Sequence, residues 1–445
     1  MTLAALVAGV LSVGLVAYRP GVASAATGDT GDTGACKDQP KGSGSIQDEP
    51  WQQTWFDAPA KIWPFSTGAG TTVAVIDTGV DPNNQQLAGK VLPGYDFINH
   101  RAQGDIDCVP HGTAEAGAIA ATRTTGIGFF GLAPDATILP IRVSKDAVTN
   151  DQSKPVNQTA LAKGIDYAVD QGANVIDCAV VSYLPNPAVE AAVKRAISKG
   201  VVVVAMVGDG HSTQRDGIGP TRLGSYPAEY PDVIGVGAVD SDGRRVETSQ
   251  IGTYTDLVAP GKDVISDAIG GQDTFDGTAI ASAFVAATAA LLIAERPSPL
   301  AGLSGSARVV ALTKQLQGTA SPELSTEDSM AYGAGLVDPF RALTEKPSNQ
   351  APAVLPAHTA PPPPPRDPAK EAAMKATRHS NHLAARLAEG VGAGIILLIG
   401  LVAVVPRGRV RRWRPVRSDV PPAASDDGPE FVAGEALFKD PARRE

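Results

Sequence analysis

The sequence predicts an α/β domain in which a mainly parallel sheet lies between two layers of helices. Apolar runs rich in Val and Ile alternate with helix-patterned segments from Thr71 to about Leu343. The runs are apolar on both faces, which is typical of parallel strands that are covered on two sides. The alternating region holds about 270–280 residues, which is enough for a large core.

The predicted elements follow one another in a regular order. The first four strand-like runs are TTVAVID, ATILPIRV, NVIDCAVV and VVVVAMVG, which begin at Thr71, Ala136, Asn174 and Val201. Helix-like segments between them begin at His111, Asn157 and Ala188. The segment Ala279–Glu295 is apolar nearly all round, so it is expected to form a central buried helix.

The overall charge argues against a nucleic-acid-binding protein. The formal net charge is −9, whereas neutralising a phosphate backbone requires clustered Lys and Arg. The one basic cluster, Arg407–Arg417, follows an apolar run and is explained better by membrane topology. We therefore expect no nucleic acid among the partners.

The N-terminus has the features of an export signal. Residues 3–18 form an apolar run, and the small residues Ala23–Ala25 follow it, which predicts a signal peptide over residues 1–25. An uncleaved N-terminal anchor is the alternative. Either interpretation places the following domain outside the cytoplasm.

A second apolar run predicts a membrane anchor near the C-terminus. Gly390–Val405 would span about 24 Å as a helix, so we extend the predicted transmembrane helix to residues 386–406. The arginines that follow place the tail, residues 407–445, in the cytoplasm. A buried core helix is the alternative. A Pro-rich linker, residues 346–385, would separate the domain from the membrane.

Three short motifs carry a resemblance to a known family. Asp77 ends a strand in VAVIDTGVD, His111 opens a helix in HGTAEAGAIAA, and Ala279 follows Gly-Thr in DGTAIASAFVAATAALL. In this order they resemble the subtilisin-like serine proteases across residues 66–343, a length that also contains GLAPDATILPIRV, VIGVGAVD, DLVAPG and YGAGLVDPFRAL. The resemblance implies the subtilisin-like three-layer fold.

The flanking segments narrow the resemblance to the mycosins. These are membrane-anchored subtilases attached to type VII secretion systems of actinobacteria. The N-terminal extension, residues 26–65, contains EPWQQTWF, and the linker, single helix and basic tail are similar as well. The resemblance implies type VII secretion membrane components as partners and a bridge between Cys36 and Cys108. Cys178 lies in an apolar strand and is expected to be a buried thiol. A generic anchored subtilase is the alternative.

The residues that perform catalysis in the family are only partly present. In a working member an aspartate orients a histidine, the histidine deprotonates a serine, and hydrogen-bond donors hold the oxyanion. Asp77 and His111 match the first two roles, but Ala279 stands at the serine position. Asp209 stands where the family has its oxyanion asparagine, and an ionised carboxylate donates no hydrogen bond. Val181 replaces a glycine of the substrate-pairing strand.

The sizes of these losses predict that the chain does not cut peptides. Losing the serine of a subtilisin costs about 10⁶ in kcat, and losing its oxyanion amide costs about 10²–10³. Ser282 and Thr278 are near the missing nucleophile, but both are expected to be misplaced for attack. The departures favour a catalytically inactive structural component of a secretion complex. A peptide-binding module and a residual hydrolase are the alternatives.

The sequence predicts neither a cofactor nor a metal. It offers no cluster of His and Cys ligands with metal-binding spacing. A metal site formed by Asp77, His111 and Asp209 is the alternative to a hydrogen-bonded pair that only packs the fold.

Overall fold

A seven-stranded parallel sheet forms the middle layer of the domain. In the computed structural model the structure describes residue 36 and residues 42–146, 156–211, 223–295, 300–322 and 329–347. The strands are β1 (Thr72–Asp77), β2 (Tyr95–Asp96), β3 (Thr137–Arg142), β4 (Val175–Cys178), β5 (Val202–Met206), β6 (Ile234–Val239) and β7 (Leu257–Pro260). Their order is β2-β3-β1-β4-β5-β6-β7. β1 pairs with β3 on one side and with β4 on the other, so later strands are added on both sides of it.

Helices cover both faces of the sheet, as the alternating pattern predicts. α3 (His111–Ala120) and α6 (Thr278–Ala294) pack against each other on one face, and α4 (Gln158–Asp170) and α5 (Pro187–Ser198) pack against each other on the other. α4 and α5 are amphipathic, and each begins at an asparagine whose side chain accepts backbone N–H groups. α6 is buried from Thr278 to Ile293, which confirms the predicted central helix.

The remaining elements lie around this core. An antiparallel hairpin of β8 (Val264–Ala268) and β9 (Gly271–Phe275) packs against α3. The other helices are α1 (Trp51–Phe56), α2 (Ala58–Lys61), α7 (Gly305–Thr319), α8 (Ser329–Tyr332) and α9 (Pro339–Thr344).

The N-terminal extension packs onto the domain. The side chains of Gln52 and Gln53 in α1 are buried and donate hydrogen bonds to the carbonyls of Ile265 and Phe130, at 2.8 and 2.5 Å. Phe56 at the end of α1 contributes to the main hydrophobic core. The part of the extension that contains α1 is therefore packed against the domain.

The cysteines are arranged as predicted. Cys36 and Cys108 form a disulfide with a Cα–Cα distance of 5.2 Å, inside the usual range of about 4.4–6.8 Å. Cys178 is a buried free thiol in β4. Burial raises the pKa of this thiol well above its ordinary value, which makes it a poor nucleophile.

Several predicted segments lie outside the described residues. They are the signal peptide over residues 1–25, the transmembrane helix over residues 386–406, the cytoplasmic tail over residues 407–445, and all of the linker except residues 346–347. Among the helices that the structure describes, none combines the length and apolar character needed to span a bilayer.

Candidate functional site

Asp77 and His111 form a hydrogen-bonded pair at the carboxyl edge of the sheet. Asp77 is the last residue of β1, and His111 is the first residue of α3. Nδ1 of His111 lies 2.5 Å from Oδ2 of Asp77, which confirms the predicted contact. The Asp77 side chain is fully buried, whereas the imidazole keeps 17% of its surface exposed. The pair therefore faces solvent only through its histidine.

The start of α3 is fixed by a second carboxylate. Asp107 accepts hydrogen bonds from the Thr113 hydroxyl at 2.6 Å, the Thr113 backbone N–H at 3.0 Å and the Thr78 hydroxyl at 2.9 Å. Burial raises the pKa of Asp107 to about 7. Cys108 directly follows Asp107, and its disulfide with Cys36 joins the N-terminal extension to the segment that positions His111.

Neighbouring acids control the charge of His111. Burial alone would disfavour the imidazolium, but Asp77, followed by Asp107 and Asp209, outweighs burial and raises the pKa of His111. The histidine is therefore stabilised in its charged form by a surrounding shell of carboxyl groups.

Ala279, the residue predicted to stand at the nucleophile position, makes an apolar contact. Ala279 is the second residue of α6 and is 3% exposed. It packs in a small hydrophobic cluster with Ala179, Val181 and Met206. The methyl group carries no nucleophilic atom, and Val181 occupies space beside it that a glycine would leave open.

The two neighbouring hydroxyls are held in other hydrogen bonds. Ser282 is fully buried, and its Oγ lies 2.6 Å from Oδ1 of Asp177 and 2.8 Å from the carbonyl of Ala279. The hydroxyl of Thr278 accepts a hydrogen bond from the Gly208 N–H at 3.0 Å and donates one to Asp209 at 3.3 Å. Neither hydroxyl is hydrogen-bonded to His111, so neither is placed to replace the nucleophile.

Asp209 lies at the N-terminus of α6. Its carboxylate oxygens are 3.0 and 3.2 Å from the backbone N of Thr278. Burial raises the pKa of Asp209 to about 6, so the side chain is largely an ionised acceptor at neutral pH. Gly277 has a φ of 130°, and a Cβ at this residue would lie 2.9 Å from Oδ2 of Asp209. The close approach therefore requires glycine.

Two further buried acids belong to the site, and the sequence analysis did not identify them. Glu115 lies one helical turn after His111, and Asp177 lies in β4. They are 1% and 0% exposed. An available signal was a glutamate in an otherwise small and apolar helix, together with an aspartate inside an apolar strand. Glu115 is also the residue that lies with Asp77 and His111 in an arrangement able to hold a metal ion, rather than Asp209.

Comparisons with known proteins show which family has a sequence similar to this chain. The sequence profile described as the Subtilase family matches residues 68–335. The chain is 38% identical over 247 residues to the thermophilic serine proteinase of Bacillus sp. (strain AK1), covering 55% of this chain and 57% of that protein. It is 36% identical over 241 residues to thermitase of Thermoactinomyces vulgaris, covering 53% and 79%. The chain thus spans just over half the length of the first of these relatives.

Solved structures give the same result for the fold. The MycP3 protease from the type VII (ESX-3) secretion system superposes with a TM-score of 0.56 at 29% identity, covering 69% of this chain and 91% of that one. MycP1 from Mycobacterium smegmatis superposes with a TM-score of 0.58 at 26% identity, covering 73% and 92%. The predicted subtilisin-like fold with a mainly parallel sheet is confirmed, and the chain belongs to the subtilase family.

Proposed function

We propose that the chain is a proteolytically inactive, mycosin-like subtilase that acts as a structural component of a type VII secretion system. It would be held at the cell membrane by the helix predicted over residues 386–406, with the subtilase domain outside the cytoplasm. Peptide cleavage would play no part in this role.

The observation that carries the proposal is the arrangement at the start of α6. Acyl transfer needs a nucleophile there and donors aimed at the developing oxyanion. This chain has Ala279 and a carboxylate that accepts from the Thr278 N–H instead. Asp209 therefore supplies negative charge where the reaction would develop more of it. The serine and the asparagine that the resemblance implies are both replaced, while the Asp77–His111 pair is retained.

The secretion role is supported by similarity to two solved structures of type VII secretion-system mycosins over most of the length of those chains. The matched region covers 91% of the MycP3 chain and 92% of the MycP1 chain. Within this chain, helix α1 and the Cys36–Cys108 disulfide attach the N-terminal extension to the domain. A chain that keeps this packing while losing the chemistry is better suited to assembly than to turnover.

The test separates the three functions that the sequence leaves open. The full chain would be purified from its native membrane in mild detergent and treated with a fluorophosphonate probe, with thermitase as the reactive control. We expect no labelling of the chain and co-purification of membrane-embedded partners. Labelling that disappears in a His111→Ala variant would contradict inactivity. Recovery of bound peptides without membrane partners would replace the structural role with peptide binding.

A further inference from the structure

Three side chains that could bind a metal ion converge beneath the exposed edge of His111. His111 and Glu115 are four residues apart in α3, so they lie on the same face of the helix. Asp77 approaches from the end of β1. One potential ligand atom from each of the three residues lies within 4.8 Å of the other two.

Among the described residues, several oxygens in and beside this cluster have no hydrogen-bond partner. They are Oδ1 of Asp77, Oε2 of Glu115 and Oδ2 of Asp177, and all three are buried. Buried polar atoms in folded proteins almost always have a partner, so a group of unpartnered carboxyl oxygens requires an explanation. Oδ2 of Asp77 is hydrogen-bonded to His111, so Oδ1 is the oxygen of Asp77 that remains available to a ligand.

In the part of the chain that the structure describes, neither Glu115 nor Asp177 takes part in an ion pair with Lys or Arg. The basic side chain of the cluster is His111, which is paired with Asp77. Metal ligands bind in their deprotonated forms, so a divalent cation would take the place of the proton on His111 in balancing these carboxylates.

We propose that Asp77, His111 and Glu115 form a binding site for a divalent transition-metal ion, with Asp177 beside it. The ligand set of one imidazole and two carboxylates matches zinc, whereas magnesium and calcium prefer oxygen ligands alone. Zinc bonds of about 2.0–2.2 Å keep ligand atoms about 3–4 Å apart, so the side chains need to close by about 1 Å.

A metal ion at this site would link the end of β1 to the start of α3. The retained Asp77–His111 pair would then bind metal, a role that does not require a serine. It goes beyond the proposed secretion role and does not rest on it. A metal bound here could stabilise the domain whether or not the protein assembles with partners.

The test is a zinc titration of the purified full chain after treatment with EDTA. We expect about one zinc ion per chain, with nitrogen and oxygen ligands and no sulfur ligand in the X-ray absorption spectrum. Glu115→Gln keeps the shape of the side chain but removes a charged ligand. It should weaken zinc binding by at least about tenfold, because loss of even an outer-shell partner has an effect of that size. Manganese and magnesium titrations measure selectivity.

Glu247→Gln is the matched control, because Glu247 is an exposed glutamate outside α3. It should bind zinc as the unmodified chain does. If Glu115→Gln does not fold, as judged by circular dichroism, His111→Asn at the partly exposed ligand decides the question. The proposal is overturned if the chain binds no zinc, if the spectrum shows a sulfur ligand, or if a folded ligand variant binds zinc as tightly as the control.

Discussion

The carboxylate of Asp209 holds the N-terminus of α6 by accepting hydrogen bonds from the backbone N–H of Thr278, at 3.0 and 3.2 Å. The two residues are 69 positions apart in the chain. A negative group at this end of a helix interacts favourably with the helix dipole and with N–H groups that lack a partner within the helix. The same group is unsuited to stabilising an oxyanion. The family resemblance places Asp209 at the oxyanion position, so in the proposed account a structural contact takes the place of a catalytic one.

This capping role predicts how substitutions of Asp209 affect stability. Asp209→Ala should lower the free energy of unfolding by about 1 kcal/mol, because the Thr278 N–H loses its acceptor. Asp209→Asn should have a smaller effect, since its amide oxygen can still accept. Urea unfolding of the full chain measures both. Equal losses in the two variants would show that charge rather than the hydrogen bond matters at this position.

Removing the disulfide should destabilise the domain. The Cys36–Cys108 bond closes a loop with a sequence separation of 72 residues. The double variant Cys36→Ser with Cys108→Ser should lose about 2–4 kcal/mol of unfolding free energy. A reducing agent should lower the melting temperature of the unmodified chain and leave that of the double variant unchanged. A melting temperature that is insensitive to reduction in both proteins would argue against the bond.

The buried carboxyl group of Asp267 in β8 should make the free energy of unfolding fall as the pH rises. This side chain is fully buried, and burial raises its pKa from 3.8 to about 7. A group with a raised folded-state pKa contributes stability that is complete below the unfolded value and is lost as pH passes the folded value. Between pH 5 and pH 8 the loss from Asp267 should be about 2–3 kcal/mol.

Unfolding measurements at the two pH values test this. Asp267→Asn should show a smaller fall in stability between pH 5 and pH 8 than the unmodified chain. Asp242→Asn is the control, since the Asp242 side chain is 63% exposed. An Asp267→Asn variant with the full pH dependence would assign the effect to other buried acids.

The parts of the site that follow from short sequence motifs could be predicted from the sequence. Asp77 and His111 stand at a strand end and a helix start, and both boundaries follow from short motifs, so their contact could be predicted. The bridge between Cys36 and Cys108 was predicted through family resemblance, because spacing alone does not determine a pairing.

Contacts between distant segments were not predictable. Hydrophobic periodicity shows that β4 is buried, but it does not show that Asp177 meets Ser282, which is 105 residues further along. Glu115 was not recognised as part of the site, although its spacing of four residues from His111 places both on one face of α3. The resemblance located Asp209 at the oxyanion position, but its hydrogen bond to Thr278 appeared only in the folded structure.

The central claim is that two chemical groups are missing, and restoring them one at a time tests it most directly. An alkoxide attack at residue 279 would develop negative charge near Asp209. Two like charges about 4 Å apart at an effective dielectric near 20 repel by roughly 4 kcal/mol, which is about three decades in rate.

The measurement is turnover of a chromogenic peptide by four full-chain forms: unmodified, Ala279→Ser, Asp209→Asn, and the double variant. We expect no turnover from the unmodified chain or Asp209→Asn and little from Ala279→Ser. The double variant should be measurably faster than either single variant, although Val181 should still limit it. Robust cleavage by Ala279→Ser alone, or by the unmodified chain, would contradict the account.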